Sequence, residues 1–246
     1  MSEPSEFVLH VFLVFCRVGG IMMLVPGFAS PRIPMRIRLM FAVILAWMIS
    51  PIAAPVTQVA SPDMLLLRIS SEFVTGVTIG LVARIYLVAL EFAGTAISAY
   101  IGFGMQPGGV AIDDQATVPL TALITSTATL LFFVLNLHWA VIGALVRSFD
   151  AYPIGSGFDI GFRTEFLVGT LSQAFYLAIQ ISGPFLIFGL LVNLIFGVVN
   201  RLVPQVPAYF VSIPVLIAGG LLLAHFAIAE LLLLFTDRVR QTLEGL

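Results

Sequence analysis

The sequence predicts an all-α integral membrane protein, and three observations support this. Of its 246 residues, 60% are hydrophobic and 10% are charged, and the mean hydropathy is +1.11. A soluble domain carries roughly 25% charged residues, so this chain has too little polar surface to cover a globule in water. Long stretches with little or no charge also recur along the chain, and a helical span needs only ~20 apolar residues.

Charged residues divide the chain into about six long hydrophobic segments, which predict about six helices. They are bounded approximately at 7–28, 39–60, 73–101, 118–146, 166–200 and 202–229. Two of them, 118–146 and 166–200, are longer than a bilayer requires. Gly183-Pro184 lies in the middle of the second, where proline is expected to kink or break the helix. Long, partly kinked helices packed on other proteins explain these lengths better than straight spans in lipid.

Composition also argues against several classes of function. All 11 basic residues are arginine, the net charge is −2 and the pI is about 5.9, which argues against a nucleic-acid partner. Cys16 is the single cysteine, so it forms neither an intramolecular disulfide nor a cysteine metal site. The three histidines lack metal-ligand spacing. Neither a phosphate-binding glycine loop with its lysine nor a nucleophile elbow occurs, so we predict no enzyme, cofactor or metal.

The distribution of arginine gives a conflicting topology. Arg32, Arg36 and Arg38 cluster in a short loop that should be cytoplasmic, which places the acidic N-terminal tail outside. That tail does not resemble a cleavable signal, so the first helix is expected to be retained. Six crossings would return the C-terminus to the outside, although Arg238 and Arg240 lie there. Either the number of crossings is odd or some segments do not cross.

Small residues recur at helical spacing and predict close helix packing. Such stripes let backbones approach and let hydroxyl groups bond across helices. The three stripes are Gly76, Gly80 and Arg84; Gly94, Ser98 and Gly102; and Thr121, Thr125 and Thr129.

Ionisable residues inside apolar segments are costly and usually functional. Arg17, Arg84, Glu91 and His138 meet this description. Arg84 and Glu91 stand two helical turns apart, ~10 Å, so each needs another partner. A proton-coupled secondary transporter would use such residues for transport, whereas an assembly subunit would use them as pairs between helices. The residues alone leave both hypotheses open.

Several blocks together resemble the FliR family, the export-gate membrane subunit of the flagellar type III secretion system. The most specific block is Asn200-Arg201-Leu202-Val203-Pro204-Gln205. The others are Cys16 to Gly20 with Pro26, Pro31 to Leu39, Gly102 to Met105, Leu191 to Asn193, and Phe210 to Pro214. Their order and spacing extend the resemblance over essentially the whole chain.

The resemblance implies a fold and a function. It implies helical hairpins that form a FliP-like part over 1–185 and a FliQ-like hairpin with the C-terminal tail over 186–246. It implies assembly in the inner membrane, at the flagellar basal body, with FliP-type and FliQ-type gate subunits and with FlhB-type and FlhA-type export proteins. Unfolded flagellar proteins would pass through this gate. A virulence injectisome has a homologous subunit, so that alternative remains.

The resemblance further implies that the loop from Gly102 to Pro119 helps to plug the pore. Glycine gives the loop unusual backbone angles, while methionine and phenylalanine give a deformable apolar seal. The plug residues are Phe103, Gly104, Met105, Pro107, Gly108, Gly109, Asp113 and Asp114. Family members often carry Asp-Pro near the place of Asp113-Asp114, and we interpret the two carboxylates as solvated, with proton handling as the alternative.

The tip of the FliQ-like hairpin is implied at Asn200 to Pro207. Prolines there should end both helices, and Asn200, Arg201 and Gln205 offer hydrogen bonds to a partner. We therefore predict a partner-binding site at Asn200, Arg201, Pro204 and Gln205. The intramembrane charged and packing residues are predicted to be Arg17, Arg84, Glu91, Gly94 and Gly102.

Overall fold

The computed structural model describes residues 4–30, 33–53, 62–102, 119–154, 160–205 and 207–245. These residues form α-helices and no β-strand, which confirms the predicted all-α class. The helices are α1 (Pro4–Met22), α2 (Met35–Ile49), α3 (Pro62–Tyr100), α4 (Pro119–Val134), α5 (Leu137–Ala151), α6 (Ile160–Leu202) and α7 (Ala208–Glu244). Each predicted segment corresponds to one helix except 118–146, which forms both α4 and α5.

The division between α4 and α5 is the main departure from the predicted helices. The two helices are bent by 64° relative to each other. Asn136 lies between them with φ +59, in the left-handed region that asparagine tolerates better than most residues. Neither proline nor glycine lies at this break, so the hydropathy pattern predicted one continuous segment where the structure has two helices.

Proline does not break α6. We expected Gly183-Pro184 to kink or break this segment, but α6 continues as one helix of 43 residues with Pro184 inside it. Of the two expected outcomes, the break does not occur, and the kink stays a prediction. Proline removes one backbone hydrogen bond, whereas ending a helix in apolar surroundings leaves several backbone groups without partners.

Three helices among the described residues are long and apolar enough to cross a membrane: Met64–Tyr100, Thr164–Leu202 and Phe210–Glu244. The bent pair α4 and α5 would be a fourth if it forms one span. This count is below the six predicted segments: α1 and α2, with 19 and 15 residues, are not among the candidate spans, and the segment 118–146 is broken. Length and apolar composition together identify a membrane protein whose segments are not all simple spans.

The chain divides into two compact units. Unit 1 comprises Met1–Tyr86, Phe132–Leu171 and Arg238–Leu246, and unit 2 comprises Leu87–Leu131 and Ser172–Asp237. The predicted boundary between a FliP-like part and a FliQ-like hairpin, at residues 185 and 186, lies inside α6. It rests on likeness to other gate subunits and not on compactness, so the two units do not test it and it stays a prediction.

Within unit 1, the C-terminal end of α7 is fixed by polar contacts. Val239 and Leu243 are buried. The Tyr86 hydroxyl lies 2.8 Å from the Thr242 hydroxyl, and Arg147 Nη2 donates to the Leu243 carbonyl at 3.0 Å. Arg240 Nη2 donates at 3.0 Å to the carbonyl of Leu135, which the α4–α5 break leaves available. These contacts make the C-terminal segment part of unit 1.

Within unit 2, small residues bring helices together. A Cβ atom added at Gly94 would lie 3.3 Å from the Cα atom of Thr121, and the Ser98 and Thr121 hydroxyl groups are 3.4 Å apart. Gly102 has a different reason for lacking a side chain. Its added Cβ would meet its nearest neighbour only at 3.9 Å, whereas its φ of +78 favours glycine. Within the described chain the backbone conformation explains the glycine, and close packing at Gly102 stays a prediction.

Candidate functional site

The most concentrated group of polar contacts surrounds Arg17, on α1 in unit 1. Arg17 is 1% exposed, and its guanidinium lies between α1, α3 and α5. On α3, Glu72 is also 1% exposed, and its Oε2 accepts a hydrogen bond from Arg17 Nε at 2.7 Å. Arg17 Nη2 lies 2.6 Å from the same oxygen and completes the ion pair. This is a buried ion pair between residues 55 positions apart in the sequence.

The remaining donors of Arg17 bind α5 and the residue that follows it. Nη1 donates to the Ser148 carbonyl at 2.9 Å and to its hydroxyl at 3.0 Å, and Nη2 donates to the Tyr152 carbonyl at 2.9 Å. The guanidinium carbon lies 4.2 Å from the centre of the Phe149 ring, which adds a cation–π contact. A guanidinium has five N–H donors, and the five contacts to Glu72, Ser148 and Tyr152 match them.

This arrangement joins helices. A buried charge is tolerated where an opposite charge and further hydrogen bonds satisfy it, and Arg17 has both. The contacts fix the positions of α1, α3 and α5 relative to one another. Of the two roles considered for Arg17, the geometry fits the pair between helices.

Sequence reasoning missed Glu72 as the partner of Arg17. The predicted stripe on α3 was Gly76, Gly80 and Arg84, at a spacing of four residues. One step toward the N-terminus along the same stripe reaches Glu72, so extending the stripe would have placed a carboxylate on the face with the two glycines. The segment boundary drawn at Phe73 hid this relation.

The same face brings the backbones of α1 and α3 into contact. A Cβ atom added at Gly76 would overlap the Arg17 carbonyl oxygen. Added at Gly80, it would lie 2.9 Å from the Ile21 carbonyl oxygen, and at Gly20, 2.6 Å from the Phe73 carbonyl oxygen. Glycine at these three positions therefore sets the α1–α3 distance at which Arg17 reaches Glu72.

The other intramembrane ionisable residues are placed less specifically. Arg84 and Glu91 are half-buried on α3, and within the described chain neither side chain has a hydrogen-bonding or ionic partner. His138 lies on α5, and its buried Nδ1 has no hydrogen-bond partner in that same part of the chain. It lines an apolar cavity with Phe28, Phe41 and Val141. The structure thus brings Arg17 into a polar site and leaves Arg84, Glu91 and His138 outside it.

The predicted partner-binding residues lie between α6 and α7. As expected from the prolines, α6 ends at Leu202, two residues before Pro204, and α7 begins at Ala208, directly after Pro207. Asn200, Arg201, Pro204 and Gln205 are exposed, and none of their side chains contacts a polar partner among the residues that the structure describes. Exposed apolar side chains surround them, including Leu202 at 75% and Phe210 at 70%. An unpaired arginine within an apolar surface suits contact with another protein.

Arg201→Glu should weaken that contact at least tenfold, because a hydrogen bond to a charged group contributes about 1.5–3 kcal/mol. Motility should fall, and less of the chain should be recovered with its partners in a pull-down. Arg238→Glu reverses the charge of another exposed arginine and is the matched control. Unchanged motility and recovery for Arg201→Glu would remove the role given to Arg201.

The predicted plug residues cannot be placed. Phe103, Gly104, Met105, Pro107, Gly108, Gly109, Asp113 and Asp114 all lie outside the described residues. The structure places the two ends of this segment: Gly102 lies two residues after the end of α3 at Tyr100, and Pro119 begins α4.

Comparison with known proteins identifies the family. Residues 8–242 match the family described as "Bacterial export proteins, family 1". The chain belongs to this family. The match extends over both compact units.

Curated relatives of this bacterial export protein point to flagella. The chain is 30% identical to "Flagellar biosynthetic protein FliR" of Caulobacter vibrioides over 94% of its own length and 93% of the relative's. It is 29% identical to the protein of the same name in Bacillus subtilis, over 89% and 85% of the two chains. "Yop proteins translocation protein T" of Yersinia pestis is 29% identical over 61% of this chain and 59% of its own.

Proposed function

We propose that this chain is a membrane subunit of the flagellar type III protein export gate, and that it helps to form and seal the conduit for unfolded flagellar proteins. The observation that carries the proposal is the family match over residues 8–242. The relative from Caulobacter vibrioides, whose name refers to flagellar biosynthesis, is covered over almost its full length. The relative named for Yop translocation is covered over 59%, which favours the flagellar context over an injectisome.

The exposed apolar surface supports a subunit that works inside a larger assembly. In the most apolar parts of α6 and α7, 28% and 17% of the residues are buried within the chain. Lipid or other subunits must cover the rest, since contiguous exposed apolar patches are rare on monomeric soluble proteins. FliP-type and FliQ-type gate subunits and FlhB-type and FlhA-type export proteins are the proposed partners, in the inner membrane at the flagellar basal body.

The division into a FliP-like part (1–185) and a FliQ-like hairpin (186–246) is part of this proposal. It is supported by the close packing of α6 on α7, where the Phe188 ring lies against Gly219. Helices that pack this tightly and are joined by a short turn form a helical hairpin.

The transporter alternative needs ionisable groups that are free to exchange protons or bind a solute. The donors of Arg17 are matched by Glu72, Ser148 and Tyr152. Arg84 and Glu91 lie on one helix without a shared partner in the described part of the chain. Nothing in this arrangement favours transport of a small solute, and the protein is proposed to have no catalytic activity of its own.

Deleting Gly108 to Ala111 tests whether the segment from Gly102 to Pro119 seals the gate. A shortened plug should leave the seal incomplete, so small-ion conductance should rise in liposomes that carry the assembled gate. Even a modest leak matters, because each charge that moves through 100 mV releases about 2.3 kcal/mol. Conductance at the wild-type level in an assembled gate would contradict the plug assignment.

Asp113→Asn and Asp114→Asn are the matched controls for the deletion. If both carboxylates are solvated, these variants should conduct like the wild type and support motility. If they abolish export while the deletion does not leak, a proton-handling site replaces the plug as the better interpretation.

A further inference from the structure

We propose that the N-terminal end of α2 and the adjacent face of α1 form a binding site for one anionic phospholipid. Arg36 and Arg38 would bind its phosphate, and an apolar hollow beside Arg38 would hold part of an acyl chain. This inference concerns unit 1 and does not depend on the proposed export function.

The first observation is unbalanced positive charge. Between Phe7 and Pro62 the sequence contains no aspartate or glutamate, although it contains Arg36 and Arg38. Arg36 is exposed on the first turn of α2, and within the described chain its side chain has no partner. An anion has access to this arginine without displacing a carboxylate of the chain.

The second observation is that the guanidinium of Arg38 is only partly hydrogen-bonded. Its Nη2 donates to the Ser30 carbonyl at 3.1 Å, which orients the guanidinium. Its Nε is buried, and no hydrogen-bond acceptor within the described chain reaches it. A buried donor without an acceptor costs free energy, so a ligand that supplies an oxygen there would be stabilised. Phosphate oxygens suit arginine because its N–H groups form a planar fork.

The third observation is a hollow that Arg38 helps to line. Apart from Arg38 it is lined by apolar groups of α1 and α2, including Phe15, Met22, Met35 and Leu39. A ligand that satisfied both features would have an anionic end and a hydrocarbon chain. A phospholipid has both, whereas an acidic peptide would match the arginines and leave the hollow unused.

The fourth observation is the surface of α2. This helix buries Ala42, Ala46 and Ile49 and exposes most of its large apolar side chains. Its 15 residues give a length of about 22 Å, shorter than the roughly 30 Å of a bilayer core. A short apolar helix with arginines at one end fits a position that begins at the phosphate level and enters the hydrocarbon. The bound lipid would be one of those surrounding this helix.

Native mass spectrometry of the full-length chain in mild detergent tests the site. Phosphatidylglycerol should remain bound where phosphatidylcholine with the same acyl chains is lost. Arg36→Gln and Arg38→Gln should each weaken retention about fivefold, because an arginine near a charged membrane surface contributes about 1 kcal/mol. Gly19→Leu should weaken it as well, since Gly19 lines the hollow and an added Cβ meets nothing within 4 Å.

Arg238→Gln is the matched control, because it removes the charge of an exposed arginine of unit 1 whose side chain has no partner in the described chain. It should leave phosphatidylglycerol retention unchanged. Equal losses for Arg238→Gln and Arg36→Gln would show attraction by net charge alone and overturn the site. Equal retention of both lipids would overturn it as well. If the arginine variants lose binding but Gly19→Leu does not, the ligand lacks a buried chain and the phospholipid assignment is wrong. Without added lipid, the melting temperature of every variant should match that of the wild type.

Discussion

Glu72→Gln should destabilise unit 1 by about 3–5 kcal/mol, because it leaves Arg17 as a buried charge without its counter-ion. The substitution keeps the size of the side chain and removes the charge that holds Arg17 Nε and Nη2 at 2.7 and 2.6 Å. Thermal melting in detergent should shift to a lower temperature, and less folded chain should reach the membrane. Motility should be lost as a consequence.

Two further variants separate the ion pair from general effects of substitution. Glu91→Gln changes a half-buried glutamate on the same helix that lacks a polar side-chain partner in the described part of the chain, so it should melt close to the wild type. Arg17→Met combined with Glu72→Leu should be more stable than Glu72→Gln, because a buried ion pair replaced as a whole leaves no charge unpaired. Wild-type melting of Glu72→Gln would contradict the role given to the pair.

Gly76→Ala should have the second largest effect, although it adds only one methyl group. The new Cβ would overlap the Arg17 carbonyl oxygen, so α1 and α3 would have to move apart. Overpacking costs about 1–3 kcal/mol, and here it also pulls Arg17 away from Glu72. The melting temperature in detergent should fall, and native gels should show less of the assembled complex.

Gly169→Ala is the control for Gly76→Ala. Gly169 lies in α6, and a Cβ atom added there meets nothing within 4 Å. Alanine is favoured over glycine inside a helix by about 1 kcal/mol, so this variant should be neutral or slightly stabilised. Equal melting of the two variants would show that the α1–α3 approach does not limit stability.

Much of the fold could be predicted from the sequence because hydropathy determines which segments are helical in a membrane protein. The segments correctly anticipated α1, α2, α3, α6 and α7. The break at Asn136 could not be predicted, because one polar residue does not divide an uncharged segment and hydropathy does not report a left-handed backbone conformation. The continuity of α6 through Pro184 could not be predicted from the proline alone. One lost backbone hydrogen bond costs less free energy than a helix end exposed to apolar surroundings, and the sequence around a proline does not show which cost applies.

The candidate site was predicted in part. Arg17 was predicted to be important because a charged residue inside an apolar segment is energetically costly. That prediction requires only the sequence. Its partners required the fold, since Glu72 and Ser148 come from helices far along the chain. Gly94 illustrates the same limit: the stripe indicated a contact face, and only the fold shows that Thr121 occupies it.

Co-purification in mild detergent tests the proposed function most directly. The tagged chain should be recovered from its bacterium in one large complex that contains other flagellar export proteins, because most of the apolar surface of α6 and α7 is uncovered within the chain. The chain alone, placed in liposomes, should move no small solute. Recovery as a lone monomer that transports a small solute in liposomes would contradict the proposal and favour a secondary transporter.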